Sequence, residues 1–180
     1  MLAGDQGLTV GDARLLNLVK LSGECGWSMR VKIRDAYNGD LPQIVEIERL
    51  SFDNPWSRDS FQRELSLPFS RTTVAVTTNG ATEAVVGYLC RWLVADECHI
   101  LNVAVHPVAR RAGVGARLME HALGDARRGK ARFVTLEVRR SNVAARSLYR
   151  RLSFEERRLR KNYYGSGDDA IVMELRLNRR

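Results

Sequence analysis

At 180 residues, 44% of them hydrophobic and with only 14 glycines and 4 prolines, the chain is long enough for one domain with a sizeable core and is not low-complexity. Its longest apolar runs are strand-sized, no charged leader precedes a cleavage-like site, and nothing approaches the ~20 apolar residues of a membrane span. The expectation is a soluble, cytoplasmic protein with no membrane partner. The net charge of +8 is concentrated between Arg139 and Lys161, where nine basic residues meet two acidic ones. No zinc-finger spacing or basic-aromatic RNA signature accompanies that stretch, so direct nucleic-acid binding is disfavoured. A polyphosphorylated cofactor, the surface of a nucleoprotein particle and a solvated basic face all account for it. Cys25, Cys90 and Cys98 are odd in number and lack Cys-x-x-Cys spacing, which suggests neither a disulfide framework nor a metal site.

Residues 1–28 read as an upstream extension, peripheral or disordered, with Met29 a second possible start opening an alternating strand, MRVKIRDA. Asp40 is placed to cap a helix carrying Leu41, Ile44, Ile47 and Leu50. Ser57 is placed to cap another carrying Phe61 and Leu65, after the turn SFDNPW. TTVAV and AVVGYLCRWLVA read as strands joined by the hairpin turn TTNGATE, and CHILNVAV as the next strand. His99 beside Cys98, and His106 before Pro107, read as ordinary packing, because neighbours on a strand point to opposite faces.

The stretch VARRAGVGARLMEHAL at 108–123 then places Val114, Leu118, Met119, Ala122, Leu123 and Ala126 on one helical face, with its glycines at the helix start. RFVTLEVR reads as a buried strand, followed by a helix capped by Asn142 that carries Ala145, Leu148, Tyr149 and Leu152. Two further strands, FEERRLRKNYY and AIVMELRL, flank the turn GSGDD. The strand, glycine helix and next strand form a crossover that makes parallel neighbours, so the sheet is expected to be mixed.

The glycine turn is an anion site by composition. Ala116 and Arg117 stand where a Walker loop needs Lys-Ser or Lys-Thr, and Leu118 stands where a dinucleotide fingerprint needs its third glycine. What remains is Arg-x-x-Gly-x-Gly. Exposed amides at a helix start carry roughly half a positive charge, Gly113 and Gly115 admit close approach, and Arg110 and Arg111 add forked donors. A pyrophosphate is the natural ligand; the competing reading is a glycine-softened helix start with solvated arginines.

Taken in order, NVAV, RRAGVG, LEVR and NVAARSLYRRLSF resemble the GNAT superfamily of acetyl-coenzyme A-dependent N-acyltransferases over residues 29–177. FDNPWS, LEVRRSN and RKNYYGSGDDAIVMEL resemble more narrowly its ribosomal-protein-alanine N-acetyltransferase branch, the RimI type. The resemblance implies an α/β (mixed α+β) fold, the GNAT fold: a twisted mixed sheet of about six to seven strands flanked by about four helices. The sheet would splay into a V holding acetyl-coenzyme A, with no metal. It implies that the backbone of Val103, Ala104 and Val105 pairs with the pantetheine arm. Arg110, Arg111, Ala112, Gly113, Val114, Gly115 and Ala116 would hold the pyrophosphate, and Asn142 would reach the pantetheine. Phe52, Trp56, Tyr163 and Tyr164 would line the acceptor groove, with Asp168 or Asp169 drawing a basic tail. The implied acceptor is a protein N-terminus, the N-terminal alanine of small-subunit ribosomal protein eighteen. Two departures stand out: Ser153 where the family usually has glycine, and His106 where Asp commonly precedes proline.

The chemistry adds its own constraint. An α-amine with a pKa near about 8 is mostly protonated at neutral pH and must lose a proton before it attacks a thioester. Glu137 is the only acid in LEVR, and burial there would make it a better proton acceptor, with water as relay. Tyr149 is assigned to the leaving thiolate, as a hydrogen-bond donor, because a phenol is about one and a half units less acidic than a thiol. The plainer readings pair Glu137 with an arginine and make Tyr149 a core aromatic. No cysteine is placed for a covalent acetyl-enzyme, which favours direct attack in a ternary complex. The alternatives are a broader N-terminal acetyltransferase and a non-catalytic module binding acetyl-coenzyme A or RNA. Acetylation of a small amine is disfavoured by the absence of an acid cluster.

Overall fold

Alternation of side chains in VKIRD and the β-branched runs that follow build one sheet, and its strand order decides where a cleft can form. A computed structural model of the protein describes residues 31–79 and 82–177. The expectations for residues 1–28, Cys25 and the tip of the TTNGATE turn lie outside these described residues. The strands are β1 (Val31–Asp35), β2 (Ser70–Asn79), β3 (Thr82–Val94), β4 (Glu97–Val105), β5 (Phe133–Arg139), β6 (Glu155–Arg160) and β7 (Ala170–Arg176). They form a seven-stranded sheet in the order β1-β2-β3-β4-β5-β7-β6, antiparallel except for β4 and β5. The parallel pair is the expected crossover. The last strand, β7, inserts between β5 and β6, an order that pattern alone does not specify.

Among the described residues four α-helices cover the sheet: α1 (Leu41–Arg49), α2 (Arg58–Ser66), α3 (Val114–Arg128) and α4 (Val143–Arg151). Every residue of the apolar stripe read from the glycine helix is buried on α3. Fully burying side chains such as Leu118 and Met119 contributes about 1.5–3 kcal/mol each. The residues of α3 share a core with Cys98, Ile100, Val134, Leu136 and Tyr149, while α1 and α2 enclose a second core with Val74, Tyr88 and Ala104. Among the described residues, no helix is long and apolar enough to cross a membrane.

Two local readings are corrected. Asp40 occupies the N-cap position of α1 but makes no side-chain cap; its carboxylate turns back to Arg34 at 2.7 and 2.9 Å and to the Tyr37 N–H. A bidentate guanidinium outcompetes a single amide. The strand read through FEERRLRKNYY stops at Arg160, because Asn162, Gly165 and Gly167 all adopt positive φ and turn the chain. Ser57 and Asn142 cap as expected, accepting from Ser60 N and Ala145 N at 3.1 and 3.0 Å.

Two irregularities of β4 make the site. Cys90 pairs with Asn102 but Arg91 with Ile100, so Leu101 is an extra residue, a bulge. Before the bulge Cys98 and Ile100 face the α3 core; after it Ala104 enters the other core. The pairing of β4 with β5 also runs only from Glu97–Phe133 to Ile100–Leu136, after which the two strands separate.

Candidate active site

The wedge between the diverging strands is a cavity of about 320 Å³, walled by Leu101 and Val103 of β4, Glu137 of β5, Asn142 and Tyr149 of α4, and Phe52 and Trp56 from the α1–α2 loop. A second cavity of about 520 Å³ adjoins it and is lined by Trp92, His99, Thr135, Tyr163 and Val172. Trp56, Leu101, Glu137 and Tyr164 border both. The structure therefore brings Phe52, Trp56, Val103, Glu137, Asn142, Tyr149, Tyr163 and Tyr164 to two adjoining spaces, with Glu137 lining both.

Behind one lip of the wedge stands the glycine turn. Arg111 and Gly113 have φ of 66° and 79°, and backbone with left-handed residues alternating in this way turns successive N–H groups toward one concavity. Gly113 is the N-cap of α3 and no side chain caps it. A Cβ built on Gly113 meets nothing within 4 Å, whereas one on Gly115 meets Leu148 at 3.5 Å and Val105 at 3.7 Å, ordinary contacts. Space in front of the turn is thus open, and the protein's own packing does not demand either glycine's missing side chain. Beyond Leu101, β4 keeps β3 on one edge, with Val103, Ala104 and Val105 opposite Leu89, Tyr88 and Gly87, and among the described residues no strand pairs with the other. Arg110 donates to Val105 O at 3.0 Å and Ser51 Oγ at 3.2 Å, tying the turn to the strand end and to the α1–α2 loop. His106 supplies the group that Asp commonly would, its Nδ1 accepting from Val108 N at 3.4 Å.

Within the wedge, burial pushes the Tyr149 hydroxyl well above its ordinary pKa, with nearby Tyr164 adding to it, so the phenol stays protonated and is a donor. Glu137 is not the buried carboxylate that its strand position suggested. Its side chain keeps 29% exposure and is ion-paired with Arg160 of β6. The same carboxylate, together with partial burial, pushes the pKa of the neighbouring Tyr163 phenol up.

A fully buried carboxylate does line the wedge, and sequence reading passed it over. Glu48 of α1 accepts from Trp56 N at 2.9 Å, from Asn102 Nδ2 at 3.0 Å and from the Tyr88 hydroxyl. It fastens the α1–α2 loop to the strand just past the bulge. The available signal was an acidic residue on the apolar face of an otherwise amphipathic helix. Arg139 was missed as well. It pairs with Asp168, approaches Asp53 at 3.7 Å and lies 4.8 Å from the Tyr164 ring centroid, so it joins the two loops over the cavity. Arg140 holds Asp169 at 3.5 Å. Asp168 and Asp169, expected to attract a basic tail, are thus engaged by this chain's own arginines. The basic stretch is largely consumed in the same way, with Arg146 and Arg150 on Glu156 and Arg157 on Glu155 and Glu174.

A mixed sheet opened between two parallel strands, with an uncapped glycine helix start beside it and a carboxylate and a phenol inside, defines the class: a group-transfer enzyme working in a cleft between strands. The chain belongs to the GNAT acetyltransferase family, whose model matches residues 41–154, and it is an N-acetyltransferase. It is 37% identical over 142 residues to the ribosomal protein bS18-alanine N-acetyltransferase of Escherichia coli, covering 76% of this chain and 90% of that one. The crystal structure of the ribosomal-protein-alanine N-acetyltransferase from Escherichia coli superposes with a TM-score of 0.75 at 31% identity, over 84% of this chain and 96% of the other. An Arabidopsis thaliana protein solved in complex with acetyl-CoA shares the fold at a TM-score of 0.73 and 20% identity, over 83% and 100% of the two chains.

Proposed function

We propose that this enzyme moves the acetyl group of acetyl-coenzyme A to the α-amine of a protein N-terminus, the N-terminal alanine of ribosomal protein bS18, by direct attack in a ternary complex. A ribosomal acceptor places its work in the cytoplasm. The observation that carries the reading is the parting of β4 from β5 after Ile100 and Leu136, beside which Glu137 and Tyr149 line one cavity and a second of about 520 Å³ adjoins it.

The residues present fit the coenzyme. The open space before Gly113 and the uncapped start of α3 suit a diphosphate, with Arg110, Arg111, Ala112, Val114, Gly115 and Ala116 forming the rest of the turn. The edge of Val103, Ala104 and Val105, which among the described residues pairs with no strand and carries only the Arg110 contact at Val105 O, suits an amide-bearing arm laid on as an added strand, and the Asn142 side chain caps α4 through its oxygen, which leaves its amide N–H groups as donors. When bound, acetyl-coenzyme A supplies the activated acyl group. Glu137 takes the proton from the acceptor's ammonium, directly or through one water, and the electron pair stays on nitrogen for attack. Tyr149 donates a hydrogen bond to the departing sulfur; its raised pKa makes it a donor in a hydrogen bond rather than a ready source of a free proton. Phe52, Trp56, Tyr163 and Tyr164 flank the incoming chain.

Mass spectrometry of peptides incubated with the enzyme and acetyl-coenzyme A tests this. An alanine-starting bS18 peptide should gain the mass of one acetyl group at its N-terminus. Acetylation only of other N-termini would replace the narrow acceptor with a broader one, and acetylation of none would defeat the reading.

A further inference from the structure

Glu137, which lines both cavities, already has a partner. Glu137 Oε1 holds the Arg160 guanidinium, and the same carboxylate pushes the pKa of the neighbouring Tyr163 phenol up. Arg160 comes from the end of β6, an edge strand whose side chains are mostly exposed, and the guanidinium lies 4.1 Å from the Tyr163 ring centroid. Tyr163 lines only the second of the two cavities, the proposed acceptor side, so the cation, itself outside both linings, lies against a wall of the space from which an amine would approach. An α-amine arrives at neutral pH mostly as a second cation seeking the same oxygen.

We propose that Arg160 is a positioning and specificity-determining residue that the acceptor's ammonium must displace from Glu137, an inference that rests on the acetyl-transfer reading above. Released from Glu137, the guanidinium can keep the contact that it already makes with the Tyr163 ring, and so holds its charge beside the cleft. From there it opposes the newly arrived ammonium. Like charge favours the neutral amine, so one ammonium N–H breaks, its proton joins the Glu137 carboxylate, and the electron pair remains on nitrogen. After transfer the acceptor is an amide with no charge, and Arg160 closes on Glu137 again as that proton leaves to solvent. The exchange selects free, charged N-termini over blocked ones and expels product.

Steady-state kinetics of the full chain on an alanine-starting peptide, wild type against Arg160→Gln and Arg160→Lys, tests it. Arg160→Gln should lower the peptide KM roughly threefold, since the competing cation of an exposed pair is gone. It should also lower kcat by about tenfold, the effect of one unit in proton affinity. Inhibition by the N-acetylated product peptide should tighten, and Arg160→Lys should restore most of kcat. An unchanged KM for acetyl-coenzyme A reports an intact fold. A raised peptide KM would mean that Arg160 grips the acceptor, and a fall in kcat with unmoved KM and no rescue by lysine would mean a purely structural role; either overturns the proposal. Wild-type enzyme that acetylates no N-terminus fails the underlying reading and this inference together, whereas an active enzyme with unmoved constants fails this inference alone.

Discussion

The two sides of the cleft are built from different materials. The side of the glycine turn is backbone: the uncapped start of α3, the left-handed Arg111 and Gly113, and the free edge of β4. The other side, where we propose that the acceptor enters, is side chain on side chain, with Glu48 fastening one loop, Arg139 bridging two, and Arg160 lying between Glu137 and the Tyr163 ring. Backbone recognition tolerates little variation in chain path and much in side chains. A side-chain network is the reverse, and that is where selectivity for one acceptor can be adjusted without disturbing the fold.

The largest expected effect tests whether Glu137 serves chemistry or only its ion pair. Glu137→Gln should reduce kcat by roughly 10²–10⁴-fold while acetyl-coenzyme A binding, followed by calorimetry, is retained; a variant with near-normal turnover would make the Arg160 pair purely structural. On the backbone side, Gly113→Ala puts a Cβ into open space at φ 79° and should raise the KM for acetyl-coenzyme A about tenfold with the peptide KM unmoved. Arg139→Gln is the mirror experiment. It frees Asp168 and Asp53 and should raise the peptide KM about three- to fivefold, leaving the coenzyme untouched. If both variants shift both constants equally, the division between the two sides is wrong. The smallest effect concerns Ser153, left-handed at φ 68° just past the end of α4, where glycine would sit without strain. Ser153→Gly should stabilise the protein by about 0.5–1 kcal/mol in thermal unfolding, with turnover unchanged.

That division also explains which features are legible in the sequence alone. The buried face of α3, the caps at Ser57 and Asn142, the parallel crossover and the seven-strand, four-helix architecture all follow from signals a few residues apart. Features made by residues distant in sequence carry no such signal. Asn102 meets Glu48 across 54 positions and Arg160 meets Glu137 across 23, and no periodicity announces either pairing. Asp40 shows the same failure in small: its spacing fits a cap, but Arg34 captures its carboxylate. The placement of β7 between β5 and β6 is likewise set by tertiary pairing, not by pattern.

The supernumerary Leu101 carries a consequence for how this strand can vary. Because one uncounted residue is what turns Val103 and Val105 toward one layer and Ala104 toward the other, residue exchanges along β4 leave the parity intact, while removing a single residue reverses every side chain beyond it. The strand is permissive in spelling and strict in length.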